Sequence, residues 1–236
     1  MQTAVEQYHG NLQYAVDIVL CIDATGSMGP VLDTVKESAL SFHGRLDAVM
    51  GEKGKSISQL RLKVIAFRDF CDRADDAIQE TGFLLFPSQA PEFQEFVRHL
   101  APYGGGDIPE SGLEALALAI NAPWEKGLDR RRHVIVIFTD APAHPLGTPE
   151  AVSAQIYPKH IPSSMGELFE QWGYARSQTA VMENSAKRLV LFTPDAEPWS
   201  GIADEWNLTM HFPSKAGQGL EEFEMDEIIN TIANSL

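Results

Sequence analysis

The 236 residues carry 18 lysines and arginines against 33 aspartates and glutamates, a formal charge of −15, and 44% are hydrophobic, enough for one large core rather than two small ones. That acidity argues against a phosphate-backbone partner and favours a metal ion or a cationic surface. Two cysteines, Cys21 and Cys71, exclude a disulfide framework and fit a reducing cytoplasm, while an N-terminus bearing Glu6 and no apolar run reads as neither signal peptide nor membrane span, which needs about 18 apolar residues.

Residues 1–13 read as an extension to a single domain with its core at about 14–236. Tyr14 to Ile22 is short, β-branched and apolar almost throughout, as expected of a central parallel strand covered on both faces, and it stops at Asp23. After Gly29-Pro30, apolar residues recur at helical spacing from Val31 to Met50. A second strand, Leu60 to Phe67, ends at Arg68-Asp69. A third short run, Phe83 to Phe86, is closed by Pro87, and Pro91 to Leu100 reads as a short helix. The glycines Gly104-Gly105-Gly106 and Asp107 feed a helix predicted over Pro109 to Ala122.

The run Arg130-Arg131-Arg132 precedes the strongest strand signal, His133 to Phe138, and is expected on the solvated N-terminal edge of the sheet. That strand ends at Thr139-Asp140. A Pro, Gly and Ser-containing excursion from Ala141 to Ser164 holds Tyr157, Lys159 and His160, either shaping partner choice or covering the sheet edge. Helix is predicted for Met165 to Ala186, strand for Lys187 to Thr193, helix for Trp199 to Trp206, a weaker strand for Leu208 to Phe212 and a closing helix for Glu221 to Leu236. Trp172, Trp199 and Trp206 fall in helical segments and are assigned to the core. Alternating strands and helices imply an α/β fold: three layers, a doubly wound, mostly parallel sheet with helices on both faces, Rossmann-like. Its binding sites lie beyond the carboxyl ends of the strands.

Two buried strand runs therefore bring Asp23 and Asp140 to one edge, where like charges need a counter-ion. In Asp23-Ala24-Thr25-Gly26-Ser27 a tight turn aims one carboxylate and two hydroxyls at one point, and oxygen-only ligands select a hard cation. The pentapeptide alone is equally consistent with capping of the helix near Pro30. Asp69 is a weaker candidate for the same edge, the alternative being pairing with a neighbouring arginine or a helix cap.

Read together, Asp23-Ala24-Thr25-Gly26-Ser27, Gly104-Gly105-Gly106-Asp107 and Thr139-Asp140 occur in the order of the metal ion-dependent adhesion site of von Willebrand factor A domains, and the chain resembles that family from about Tyr14 to the final helix, including Phe67-Arg68-Asp69. The resemblance implies a top-face divalent cation, Mg²⁺ first and Mn²⁺ or Ca²⁺ as alternatives, held by Asp23, Thr25, Ser27, Asp107 and Asp140. Thr25 stands where the motif commonly has serine. Asp107 stands where the family commonly has threonine, which adds negative charge and puts the usual binding mode in doubt. In the family a partner's acidic group completes the cation's shell, so the resemblance implies a non-enzymatic, intracellular adaptor or assembly factor that binds protein, not nucleic acid or membrane.

The rival is a magnesium-dependent phosphatase or phosphotransferase with Asp23 as nucleophile, and it lacks the acid such enzymes place two residues on, where Thr25 stands. The scattered histidines form no i, i+4 pair around an acid, so zinc is not expected, and His144, four residues past Asp140 in an edge loop, either touches a ligand or, the reading preferred here, is solvated or bonded within the loop. No glycine loop here carries a phosphate-binding Lys-Ser/Thr ending.

Overall fold

In the computed structural model, which describes residues 14–30, 32–33, 42–52, 57–72, 74–105, 108–128, 130–174, 178–214 and 230–231, β1 (Tyr14–Asp23) is buried at all ten positions. It pairs in parallel with β2 (Gln59–Phe67) on one side and β5 (Arg130–Phe138) on the other, and β6 (Lys187–Pro194) and β7 (Thr209–Ser214) continue the parallel run. β3 (Ile78–Glu80) and β4 (Leu84–Phe86) pair antiparallel with β2, completing a seven-stranded sheet of order β3-β2-β1-β5-β6-β7. The expected doubly wound, mostly parallel α/β architecture is present.

Strand alternation divides the core into two layers. Ile18, Leu20 and Ile22 face one side, where Leu46 of α1 (Phe42–Glu52) and Phe93 and Val97 of α2 (Ala90–His99) cover them. Val19 and Cys21 face the other, against Leu113 and Leu116 of α3 (Gly112–Ile120), Trp172 of α5 (Met165–Trp172) and Trp199 of α6 (Trp199–Glu205), with the short α4 (Pro149–Val152) in the excursion after β5. Trp172, Trp199 and Trp206 are core residues, with Trp172 and Trp206 stacked at 5.7 Å. The Cys21 thiol lies 3.7 Å from the Ala115 carbonyl, and burial pushes its pKa well up, so it is a small inert hydrophobe.

Several elements depart from expectation. The helix predicted over Met165 to Ala186 stops at Trp172, because Gly173 turns the chain at φ 81° and packs so closely on Ala180 that a Cβ there would lie 2.2 Å from the alanine's own. β3 is an additional strand with a single apolar residue, Ile78. The three arginines are the first residues of β5 rather than its approach. Arg131 bonds Glu183 at 2.7 Å and Arg130 is exposed, so the run does occupy the N-terminal edge. Within the helix predicted over Val31 to Met50, residues 31 and 34–41 lie outside the described residues. The predicted closing helix also lies outside them apart from Asn230 and Thr231, which are helical. No described helix is long and apolar enough to cross a membrane.

The register positions the site. Asp23 pairs with Phe67, and Ile22 with Phe138, so Asp23, Arg68-Asp69 and Thr139-Asp140 all emerge at one carboxyl edge.

Candidate metal centre at the carboxyl edge

Asp23 is fully buried, and its carboxylate is held from both sides. Oδ1 accepts from the Thr25 backbone N–H at 2.8 Å and the Thr25 hydroxyl at 2.6 Å, while Oδ2 accepts from the Thr139 hydroxyl at 2.6 Å. The hydroxyl of Ser27, an exposed residue of the 3-10 turn Gly26–Met28, donates to Asp140 Oδ1 at 3.0 Å. Four of the expected ligands, Asp23, Thr25, Ser27 and Asp140, are thus brought together from loops more than a hundred residues apart. Burial pushes the Asp23 carboxyl up to about 6, aided by the charge of Asp140 and opposed by the hydrogen bonds from Thr139 and Thr25.

The glycine loop closes over this turn. Gly26 N–H donates to the Gly104 carbonyl at 3.2 Å, and Tyr103 N–H to the Ala24 carbonyl at 3.1 Å. Gly105, at φ 79°, leaves no room for a side chain, since a Cβ would stand 2.9 Å from Thr25 Cβ and 3.1 Å from Glu110 Oε1. Asp107, the acidic residue expected as a ligand from this loop, lies outside the described residues, as does Gly106.

Two groups at the edge escaped the sequence reading. Thr139 is the hydroxyl that ties Asp23 to the end of β5, and its position beside Asp140 was the available signal. Glu110 is buried against the glycine loop, held by backbone bonds from its N–H to the Pro142 carbonyl and from His144 N–H to its own carbonyl. No spacing in the sequence announces it.

Among the described residues Asp69 neither pairs with an arginine nor caps a helix. Its Oδ1 accepts from Cys71 N–H at 2.9 Å and the Ser111 hydroxyl at 3.2 Å, and its Oδ2 faces His144 Nε2 at 3.4 Å. Arg68 instead turns away, donating to the Ala101 and Asp76 carbonyls and lying over the Tyr103 ring. His144, four residues beyond Asp140 as expected, thus faces a buried acid rather than only its own loop.

Tyr157, from the excursion after β5, turns inward, packing edge-on against Phe70 and donating its hydroxyl to Glu114 at 3.2 Å. Glu114 is fully buried in α3, and burial pushes its carboxyl to about 7, opposed by its hydrogen bonds and reinforced by Asp69. A carboxyl whose folded value is raised contributes stability that is intact below its ordinary 4.5 and lost as pH climbs through 7. Glu114→Gln should therefore match the wild type near pH 4.5 and exceed it near pH 8 by roughly 2–3 kcal/mol at most. Urea unfolding in the presence of chelator at both pH values reads this directly, and an equal difference at both would remove ionisation as the cause.

The comparisons with known proteins follow the same lines. Residues 76–165, which include the glycine loop, Glu110 and Asp140, match the family model for the von Willebrand factor A domain. Over that segment the chain is similar to the von Willebrand factor A domain. Its fold is similar to that of the pilus adhesin SpaC of Lactobacillus rhamnosus GG, with TM-score 0.52 and 13% identity over 95% of this chain and 31% of that one. Among curated proteins it is 29% identical over 132 residues to an ariadne-like RING finger protein of Acanthamoeba polyphaga mimivirus, and 27% identical over 150 residues to the alpha-protein kinase vwkA of Dictyostelium discoideum. Those matches cover 56% and 64% of this chain but 12% and 22% of the two relatives, so the shared segment is a minor part of each.

Proposed function

We propose that this chain is a von Willebrand factor A domain acting as a metal-dependent protein-interaction module, with Asp23, Thr25, Ser27 and Asp140 holding a divalent cation, Mg²⁺ first. The observation that carries the reading is the Ser27 to Asp140 hydrogen bond, which joins two separated loops in an oxygen-only cluster beside a second buried carboxylate. Such a donor set suits Mg²⁺, Mn²⁺ or Ca²⁺. A bound cation supplies the positive charge that an acidic side chain of a partner protein seeks. Thr25 and Thr139 orient Asp23, and Ser27, the exposed member, offers its hydroxyl toward solvent. Asp107 belongs to the proposed ligand set through its motif position alone. We place the module in a reducing compartment, the cytoplasm, supported by the unpaired Cys21 and Cys71. By likeness to relatives named for a RING finger and a kinase, it acts as an adaptor.

The phosphotransferase reading is weaker. Thr25 stands two residues after Asp23, where the acid/base of such an enzyme would be.

Calorimetry with Mg²⁺, Mn²⁺ and Ca²⁺ tests the proposal on the wild type and on an Asp23→Ala, Asp140→Ala variant. Saturable binding that disappears in a still-folded double variant is expected. A wild type that binds none of the three ions sinks the metal-dependent reading, and Mg²⁺-dependent phosphatase turnover would move the assignment to the enzyme.

A further inference from the structure

Asp69, Cys71 and His144 form a second constellation, chemically unlike the first. A carboxylate oxygen, a thiol sulfur and an imidazole nitrogen from these residues all lie within 4.8 Å of one another. Asp69 is 4% exposed, and its Oδ2 makes no hydrogen bond although it is buried; nor does His144 Nε2, 3.4 Å away. A histidine donating to a carboxylate would stand closer and satisfy both atoms. Two ligands on a tetrahedral zinc ion, with bonds of about 2.0–2.3 Å, stand roughly 3.3–3.7 Å apart, and the 3.4 Å between Asp69 Oδ2 and His144 Nε2 falls in that range.

The surroundings hold these donors in place. Cys71 N–H and the Ser111 hydroxyl pin Asp69 Oδ1, leaving Oδ2 as the atom aimed into the cluster, and Ser111 is itself fixed by accepting from Phe70 N–H at 3.0 Å. His144 is fixed through its backbone bond to Glu110, beside the bridge that joins Glu110 to Ala143. Nearby, Glu114 Oε2 is another buried carboxylate oxygen without a hydrogen bond, and among the described residues the side chain facing Asp69 Oδ2 is a protonatable histidine. Cys71 is exposed, so the cluster opens to solvent.

We infer that Asp69 Oδ2, Cys71 Sγ and His144 Nε2 bind a borderline transition-metal cation of the zinc class, separate from the hard cation proposed at Asp23 and Asp140. Mixed O, N and S donors select such an ion over Mg²⁺. On binding, the Cys71 thiol releases its proton to solvent and coordinates as thiolate. Three protein ligands leave a fourth position for water or for a donor from a partner. The ion ties the segment after β2 to the segment after β5. The expectation against zinc rested on paired histidines within one helix, and this cluster is assembled from one histidine and two residues some seventy positions earlier.

Co²⁺ added to the full chain, followed by absorption, tests the site, because thiolate coordination gives a charge-transfer band and tetrahedral geometry gives intense d–d bands. The expected result is one equivalent of Co²⁺ with both features, displaced by Zn²⁺. Cys71→Ser removes the charge-transfer band, and His144→Ala weakens Zn²⁺ binding by about 100-fold or more. The Asp23→Ala, Asp140→Ala variant keeps both features, so failure of the hard-cation site is told apart from failure of this one. Absence of the charge-transfer band in the wild type, or its persistence in Cys71→Ser, overturns the inference. Both single changes lie at solvent-reachable positions, and circular dichroism confirms that each variant is folded.

Discussion

Arg61→Ala should lower the unfolding free energy by about 3–5 kcal/mol, more than Asp17→Ala, with the double variant less damaged than the arginine change alone. Asp17 is fully buried in β1, and Arg61 of β2 grips it with two bonds, Nε to Oδ1 at 2.8 Å and Nη2 to Oδ2 at 2.5 Å, while Glu125 N–H donates to Oδ2 at 2.7 Å. Removing the guanidinium strands a charge in the core. Removing Asp17 leaves Arg61, whose side chain is 20% exposed and can turn to water, so the residual penalty is smaller. Arg61 also lies over the Phe83 ring at 4.6 Å, and that packing is lost with it. Urea denaturation of the four proteins in the cycle reads the asymmetry, and an Asp17→Ala cost equal to or above that of Arg61→Ala would contradict it. Asp17 precedes Asp23 by six strand positions, about 20 Å, so these variants should keep whatever cation binding the wild type shows.

Much of this frame was legible because the strands are buried on both faces. Tyr14 to Ile22, apart from Asp17, and His133 to Phe138 are nearly continuous apolar runs of the kind a central parallel strand shows, and each is followed by an aspartate that the register then places at one edge. β3 was hidden because an edge strand needs only Ile78 to be apolar. The overrun of α5 has a different cause: apolar spacing continues through Val181 and Met182, while Gly173 ends the helix by backbone conformation, which periodicity does not register.

The site divides in the same way. Asp23, Thr25 and Ser27 are local to one turn, and Asp140 ends a strand, so spacing and strand termination suffice to find them. Thr139 was overlooked because it sits next to the more conspicuous carboxylate, although its hydroxyl is what joins β5 to Asp23. Glu110, Asp69, Cys71 and His144 come together only through the tertiary path of three loops, and no interval in the sequence encodes that meeting. Asp69 in particular was given local partners, an arginine or a helix end, when its partners were the adjacent backbone, Ser111 and a histidine 75 positions away.

Trp199→Ala should cost about 3–5 kcal/mol of stability, and it should also weaken cation binding at the proposed centre. The indole is fully buried between α3 and the end of β5. It fills the space over Gly112, where an added Cβ would lie 2.7 Å from the ring, and its Nε1–H donates to the Ala141 carbonyl at 2.9 Å. Ala141 N–H in turn donates to the Thr139 hydroxyl at 3.0 Å, the same hydroxyl that donates to Asp23 Oδ2. The tryptophan therefore fixes the Thr139-Asp140-Ala141 turn from beneath. Trp199→Phe separates the two effects, since it retains most of the apolar filling and deletes only the N–H donor, a loss of about 1–2 kcal/mol that leaves the Ala141 carbonyl with the longer 3.4 Å bond from the Thr139 hydroxyl. If the turn is held by that hydrogen bond, the phenylalanine variant loses cation affinity out of proportion to its small loss of stability. Affinity that instead falls only in the alanine variant, in step with urea stability, would show that packing alone shapes the edge.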